Sequence, residues 1–195
     1  MAELTVGRIV RSSTQRFAVG CRVLQPEVPT FGALVWVNAF DIGIYGLIYD
    51  VRMEDDPYVR QVAIAPDAPE EILADQRQRQ VPIEVQVLVV GFQRDGVIEH
   101  RLPPQPPLSL DVIHTCDGPD LVKFTERFDY FRLVLDNRDL PADELLATNL
   151  RKAAAARGDD GNLDRDYLVK AGRELARLLV NDLQRLDAML RRLQP

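Results

Sequence analysis

The stretch of residues 35–52 constrains the fold of this chain more than any other part of its sequence. Residues 35–38, which are apolar up to Asn38, suit the end of a strand, whereas residues 42–51 are rich in Ile, Tyr and Val but include Gly43 and Gly46. Glycine inside a strand usually marks a bulge, a bend or a close approach of two backbones. A sheet that closes into a small barrel needs such bends. The stretch therefore predicts a small β-barrel, which is a scaffold and does not by itself define an activity.

Runs with strand-like patterns occur on both sides of this stretch. The predicted strands are residues 5–10, 16–24, 32–38, 42–51, 81–92, 97–100 and 108–115, with a short additional strand at 59–65. About six strands are expected to form an antiparallel barrel, closed or partly open, within a first domain of residues 1–117. Asp67 can cap a helix that has Pro69 in its first turn, which predicts a helical insertion near residues 67–79.

The apolar residues change to a helical period in residues 118–195, which are predicted to form an α-helical C-terminal region. The first helical pattern covers residues 119–137 and could break near Asp129. Asp139 can cap a second helix that ends at Gly158. The expected fold class is therefore α+β, with a small antiparallel barrel followed by helices, of which the last is long.

The last helix is predicted to begin near Asn162 and to run almost to the end of the chain. Its apolar residues are spaced by three or four, so that one stripe faces one partner. A length of about thirty residues exceeds that of most globular helices and suggests a protruding or self-associating helix. Two arrangements stay open, because the stripe can pack on its own domain or contact another subunit. The candidate interface residues are Leu168, Leu175, Leu179, Leu183, Leu186 and Leu190.

Length and composition narrow the class of protein. The 195 residues suit one domain or a domain with an appendage, and 46% hydrophobic residues can form a core. No run approaches the ~18 uncharged apolar residues of a membrane span, so no membrane association is expected. The first residues lack a basic segment followed by an apolar one, so no signal peptide is expected. Because the two cysteines, Cys21 and Cys116, do not make a disulfide framework, the cytoplasm is the expected compartment.

The charge of the chain is negative and unevenly distributed. A formal net charge of −6 argues against a dedicated nucleic-acid binder. Residues 1–150 hold 14 Lys/Arg and 23 Asp/Glu, whereas residues 151–195 hold 10 and 7. An acidic body with a basic end could favour head-to-tail self-association or contact with a partner, although arginines on a surface helix more often serve solvation. The candidate nucleic-acid contacts on the last helix are Lys170, Arg173, Arg177 and Arg185.

The sequence contains no motif of a known catalytic or cofactor site. His114 and Cys116 would project from one face of a strand, but only His100 and Cys21 could complete a soft metal site, and no C-x-x-C occurs. There is no G-x-S-x-G and no Gly-Lys dipeptide, which argues against a serine nucleophile and a phosphate-binding loop. We therefore expect no catalytic, cofactor-binding or metal-binding residue, and the chain is predicted not to be an enzyme. An enzyme with an unrecognised site is kept as a third hypothesis.

The order of the strands resembles that of one known family. The resemblance covers roughly residues 4–116, where the chain is similar to the HAS-barrel, the small barrel shared by HerA-type DNA-pumping ATPases and the catalytic subunits of ATP synthases. The residues that carry it are Val6-Gly7-Arg8-Ile9-Val10, the run 17–23, Pro29-Thr-Phe-Gly32-Ala-Leu-Val-Trp-Val and Tyr45-Gly46-Leu-Ile-Tyr-Asp-Val51. In that family the barrel holds neighbouring subunits of a ring together and carries no chemistry.

The ATPase domain of that family has no counterpart in this sequence, because residues 118–195 are predicted to be helices without a phosphate loop. The resemblance therefore implies a standalone barrel, to which no catalytic residue can be transferred. The first functional hypothesis is a non-catalytic assembly or adaptor protein that contacts itself or a partner such as a HerA-type ring ATPase. The alternative is a nucleic-acid-associated accessory factor that binds DNA or RNA through its basic C-terminal helix.

Overall fold

The computed structural model describes residues 5–21, 30–53, 83–116, 118–159 and 161–194. Seven strands are present in these ranges. They are β1 (Thr5–Ser12), β2 (Arg16–Cys21), β3 (Leu34–Ala39), β4 (Ile42–Met53), β5 (Ile83–Arg94), β6 (Val97–Glu99) and β7 (Val112–Thr115). The short strand predicted at 59–65 and the helical insertion near 67–79 lie outside the described residues.

Six of the strands form a closed antiparallel barrel. Around the barrel the order is β1, β2, β5, β4, β3 and β7, and β7 pairs with β1 to close the ring. Strand β6 pairs only with the end of β5, through a two-residue turn at Asp95 and Gly96 in which both φ angles are positive. The predicted antiparallel barrel of about six strands is confirmed, and it is closed.

The last predicted strand is shorter than expected. Residues 108–111 form a turn instead, in which the Leu108 amide donates to Asp111 Oδ2 at 2.8 Å and Leu110 has a φ of 73°. The turn already bonds to β1, because the Leu110 amide donates to the Ile9 carbonyl oxygen at 2.8 Å, and the strand itself begins at Val112.

Strand β5 is buried on both faces, which explains its nearly continuous apolar sequence. Its inward side chains, such as Val85 and Val87, lie in the barrel core with residues from β1, β2, β3, β4 and β7. Its outward side chains Leu88 and Val90 lie in a second core, which the helices form against the outside of the barrel. One strand therefore supplies side chains to both hydrophobic cores.

Gly46 allows β4 and β5 to approach closely at a bulge. The pairing between the two strands shifts register after Tyr45, as the glycine in this strand predicted. A Cβ on Gly46 would lie 2.3 Å from Val87 Cγ1 and 3.0 Å from the Leu88 carbonyl oxygen. Gly43 in the same strand is different, because a Cβ there would meet Trp36 at an ordinary 3.7 Å.

Five helices follow the barrel within the described residues. They are α1 (Pro119–Phe124), α2 (Phe131–Leu135), α3 (Ala142–Arg157), α4 (Arg165–Leu178) and α5 (Leu183–Leu193). The helical pattern over residues 119–137 is interrupted between the end of α1 at Phe124 and the start of α2 at Phe131. This interval includes Asp129, near which the sequence placed a break. None of the described helices combines the length and the apolar character needed to cross a membrane.

The ends of α3 agree in part with the predictions. Its N-cap is Pro141 and no side chain caps it, so the predicted cap at Asp139 is wrong. Gly158 ends the helix as predicted, because its amide donates to the Ala154 carbonyl oxygen at 3.0 Å. A Cβ at Gly158 would overlap the Asn162 carbonyl oxygen at 1.7 Å, so a larger residue does not fit.

The prediction of one long terminal helix is wrong. The chain leaves the helical conformation after Leu178, and a new helix begins at Leu183, so that α4 and α5 pack against α3 and against each other. The Asp182 side chain accepts a hydrogen bond from the Arg185 amide at 3.0 Å and caps α5. A side chain that bonds local backbone amides in this way competes with a continuous helix, which explains the break.

Asn149 joins the helices to the barrel through buried hydrogen bonds. It lies on α3 and is fully buried. Its side-chain oxygen accepts from the Tyr130 hydroxyl at 2.9 Å, and its amide nitrogen donates to the Gly32 carbonyl oxygen at 3.2 Å. Gly32 has a φ of 76°, and a Cβ there would lie 2.8 Å from the Thr148 Cβ, so only glycine allows the barrel to reach α3.

We expect Gly46→Ala to destabilise the protein by about 1–3 kcal/mol, because the added methyl group overlaps β5. The matched control is Gly43→Ala in the same strand, which should change the free energy of unfolding by less than about 0.5 kcal/mol. Chemical denaturation followed by circular dichroism measures both. Equal effects of the two substitutions would contradict the close approach at Gly46.

Replacing Asn149 should destabilise the protein, because two buried groups lose their hydrogen bonds to it. Asn149→Leu leaves the Tyr130 hydroxyl and the Gly32 carbonyl without a partner, at about 1–3 kcal/mol for each group. Adding Tyr130→Phe removes one unsatisfied group, so the double variant should lose less stability than the sum of the two single variants. Strict additivity in a double-mutant cycle of unfolding free energies would show that the hydrogen bond contributes no coupling.

Candidate interaction surface

Helices α4 and α5 begin at aspartate caps and present one apolar stripe each. Asp164 caps α4 by accepting a hydrogen bond from the Tyr167 amide at 3.0 Å, and Asp182 does the same for α5. Both helices are strongly amphipathic. Their buried stripes include Leu175 and Met189, which are fully buried in the core that the helices share with the barrel.

Two ion pairs connect α5 to the first turn of α3. Arg185 lies 2.6 Å from Asp143, and Arg192 lies 2.8 Å from Glu144. The hydrogen bond to Asp143 is the main reason why the pKa of Arg185 is raised above its ordinary value. These contacts link α5 to α3, which also packs against α4.

A groove of about 840 Å³ lies along α4 and the end of α5. Most of its lining is apolar. Gly172 allows Leu190 to pack closely against α4, because a Cβ on that glycine would lie 3.3 Å from Leu190 Cδ2. The Val169 side chain in the groove is 52% exposed and that of Leu190 is 37% exposed. The apolar lining residues are Leu163, Leu168, Val169, Ala176, Leu190 and Leu193.

The charged residues in the lining of this groove are both arginines. Arg165 and Arg173 are exposed, and neither has an ion-pair partner among the described residues. The groove therefore combines an apolar floor with uncompensated positive charge. Such a surface is complementary to an apolar ligand that carries negative charge at its edges.

The six leucines predicted as candidate interface residues have different environments in the structure. Leu175 and Leu179 are buried in the chain's own core, and Leu186 packs against that core. Leu168 and Leu190 line the groove. Leu183 is 69% exposed at the start of α5 and does not line the groove. Most of the stripe therefore packs on its own chain, which is one of the two arrangements left open by the sequence.

The four cations suggested as nucleic-acid contacts also differ in their surroundings. Arg177 pairs with Glu174 at 2.5 Å, and Arg185 pairs with Asp143. Arg173 lies on the edge of the groove, and Lys170 is exposed on α4. Because two of the four charges are compensated by neighbouring carboxylates, they provide less electrostatic attraction for a phosphate backbone than the sequence suggested.

Several groove residues were not among the candidates from the sequence. Val169, Gly172 and Ala176 belong to the side of α4 that a single long helix would leave facing solvent. The missed signal is Asp182, whose capping of a new helix folds the chain back and brings Leu190 to α4. Without that reversal the sequence offers no reason to group these residues.

The candidate metal ligands are not brought together. His114 lies on β7 with its ring 5.6 Å from that of Trp36, and Cys116 is buried just after that strand. His100 lies among Phe124 and other aromatic residues. Within the part of the chain that the structure describes, no group of three or more His, Cys, Asp or Glu side chains is placed to hold a metal ion.

Comparison of the sequence with models of known protein families finds no matching family, and comparison with curated proteins finds no match. The closed six-stranded barrel agrees with the fold that the HAS-barrel resemblance implies. Since a barrel of this kind does not by itself identify a family, the resemblance stays a prediction.

His100 should make the stability of the joint between β6 and the helices depend on pH. Burial lowers the pKa of His100 below its ordinary 6.5, despite its Nε2 hydrogen bond to the Phe124 carbonyl oxygen and the nearby Asp129 carboxylate. Between the lowered pKa of His100 in the folded chain and its ordinary pKa in the unfolded chain, the unfolded chain binds more protons. The contribution of neutral His100 to stability is therefore fully present above pH 6.5 and is lost as the pH decreases through this range. The difference in unfolding free energy between wild type and His100→Gln should therefore shrink from pH 7.5 to pH 5. A difference that is independent of pH would contradict this assignment.

Proposed function

We propose that this chain is a non-catalytic adaptor or assembly protein that binds a partner helix in the groove between α4 and α5. The observation that carries the proposal is the groove itself, which exposes apolar side chains beside two arginines without an ion-pair partner among the described residues. Apolar grooves between helices commonly receive an amphipathic helix, which inserts side chains spaced by three, four and seven residues.

The chemistry of the groove favours one kind of occupant. Its lining on α4 extends from Arg165 to Ala176, which corresponds to about 18 Å of helix or roughly three turns. Arg165 and Arg173 would meet carboxylates at the edges of the incoming helix. The proposed partner is therefore an acidic amphipathic helix of another protein. A HerA-type ring ATPase is the partner that the family resemblance suggests.

Binding to nucleic acid is less well supported than binding to a protein. A nucleic-acid site needs positive charge that is free to meet phosphates, together with aromatic residues or a groove that follows the backbone. Here Arg177 and Arg185 are engaged with carboxylates, and the groove that contains Arg173 is lined mainly by aliphatic side chains. Nucleic acid is therefore treated as an outcome of the test rather than as a second proposal.

We predict that a fluorescent amphipathic helical peptide with leucine and glutamate faces binds this protein more tightly than the same peptide with lysine in place of glutamate. Val169→Glu should weaken binding of the acidic peptide at least tenfold, because it places a carboxylate in the groove. Fluorescence anisotropy measures both affinities. The substitution is on an exposed helix surface and should leave the circular dichroism spectrum unchanged.

The matched control is Leu183→Glu, which adds the same charge at an exposed apolar position outside the groove and should not change peptide affinity. Equal loss of binding in both variants, or equal binding of acidic and basic peptides, would contradict the proposal. Tighter binding of DNA or RNA at low salt would favour the alternative function. A dimer in light scattering that Val169→Glu converts to a monomer would make a second copy the occupant.

A further inference from the structure

A second concave surface of different chemistry lies on the barrel, away from the groove. It has a volume of about 540 Å³ and lies where the turn between β3 and β4, the turn between β5 and β6, and the start of α1 meet. Three aromatic residues and three carboxylates in its lining carry the argument. They are Trp36, Phe40, Tyr45, Asp41, Asp95 and Asp120.

The aromatic side of this cleft is built on paired strands and is firmly positioned. Trp36 on β3 pairs with Tyr45 on β4, and the Tyr45 hydroxyl donates to Gln93 Oε1 on β5 at 2.9 Å. Next to them Gly43 carries no side chain, although a Cβ there would fit at 3.7 Å from the Trp36 ring. The absent side chain leaves room in the cleft beside the indole.

Phe40 is held in an unusual conformation at the edge of the cleft. It is the first residue of the two-residue turn between β3 and β4, with a φ of 57°, and its side chain is 68% exposed. Glycine is the ordinary residue at such a position, and a bulky residue there costs about 1–2 kcal/mol. An exposed aromatic residue in a strained turn beside a cleft is typical of a binding site.

The charge of the cleft is negative. Its lining contains three aspartates and no Lys or Arg, and only Asp41 approaches a cation within the described residues, Arg94 at 3.7 Å. Burial raises the pKa of Tyr45 to about 12, and the neighbouring Cys116 and Asp120 add to the shift. The phenol is therefore neutral at physiological pH, and Tyr45 lines the cleft as a largely buried residue whose ring packs against that of Phe124.

Aromatic rings and carboxylates together attract a particular class of ligand. A cation over an aromatic face is stabilised by the ring, and a guanidinium group can also donate paired hydrogen bonds to a carboxylate. A metal ion would instead need several converging ligands, and the described residues offer no such group here. The cleft suits an organic cation, and the planar guanidinium group meets both requirements best.

We propose that this cleft binds the side chain of an arginine in a partner polypeptide, with Trp36 and Tyr45 beside the guanidinium group and Asp95 and Asp120 pairing with it. The site is independent of the proposed groove, because it lies on different elements and has the opposite charge. A partner could therefore be bound through the cleft whether or not the groove binds an acidic helix.

Trp36 is the only tryptophan of the chain, so its fluorescence reports on this cleft. Titration with acetyl-arginine amide should give a saturable change in tryptophan emission, and an arginine-containing tetrapeptide should bind more tightly than the single residue. The matched probe is acetyl-citrulline amide, which has nearly the same shape but no charge, and it should bind at least tenfold more weakly. Equal binding of the two probes would overturn the proposal.

Substitutions in the cleft provide the second arm of the test. Gly43→Val suits a strand and fills the space beside Trp36, so it should abolish the titration, whereas Gly43→Ala should weaken it only partly. The charge variant Asp120→Asn should weaken binding at least fivefold, and the control Asp166→Asn on α4 should not. Unchanged binding in Gly43→Val, or tighter binding of spermidine than of the arginine tetrapeptide, would overturn the assignment.

Discussion

The burial of β5 on both of its faces is the constraint on which the rest of this structure depends. Its inward side chains complete the barrel core, and Leu88 and Val90 on its outward face begin the core shared with the helices. Without the helices, this apolar patch on the outside of the barrel would be exposed to water. The helices therefore cover the patch, and their packing against it determines where they lie.

The two layers are fixed against each other by a few polar contacts inside an apolar joint. Asn149 bonds both Tyr130 and the Gly32 carbonyl and so joins the helices to the barrel. Within the helical layer, Arg157 donates to the Val122 carbonyl oxygen at 2.6 Å, and its guanidinium lies 4.0 Å from the Tyr167 ring centre. Hydrophobic burial alone would allow the helices to slide over the barrel, since it is not directional. Buried hydrogen bonds penalise such displacement, because each broken bond leaves an unsatisfied group.

The sequence predicted what depends on local patterns and missed what depends on chain reversal. A short local sequence pattern was enough to predict the bulge at Gly46, the break near Asp129 and the helix end at Gly158. The pairing of β2 with β5 joins segments far apart in the chain, and no local pattern specifies it. The groove was missed because it exists only after Asp182 stops the helix, and an aspartate on an exposed helix surface is equally compatible with continuation.

The groove depends on the packing of the short helix α5 against the rest of the chain. Helix α5 has 11 residues, too few to be stable alone, and its position depends on Met189, Leu193 and the two ion pairs to α3. Molecules in which α5 is not packed on α3 lack the groove, so the affinity expected for the proposed partner helix is reduced by the fraction of such molecules. In the proposed complex the bound helix stabilises α5 in turn, because it binds only the docked form. Salt screens the exposed ion pair between Arg192 and Glu144 as well as the charges of the groove, so both effects weaken helix binding at high ionic strength.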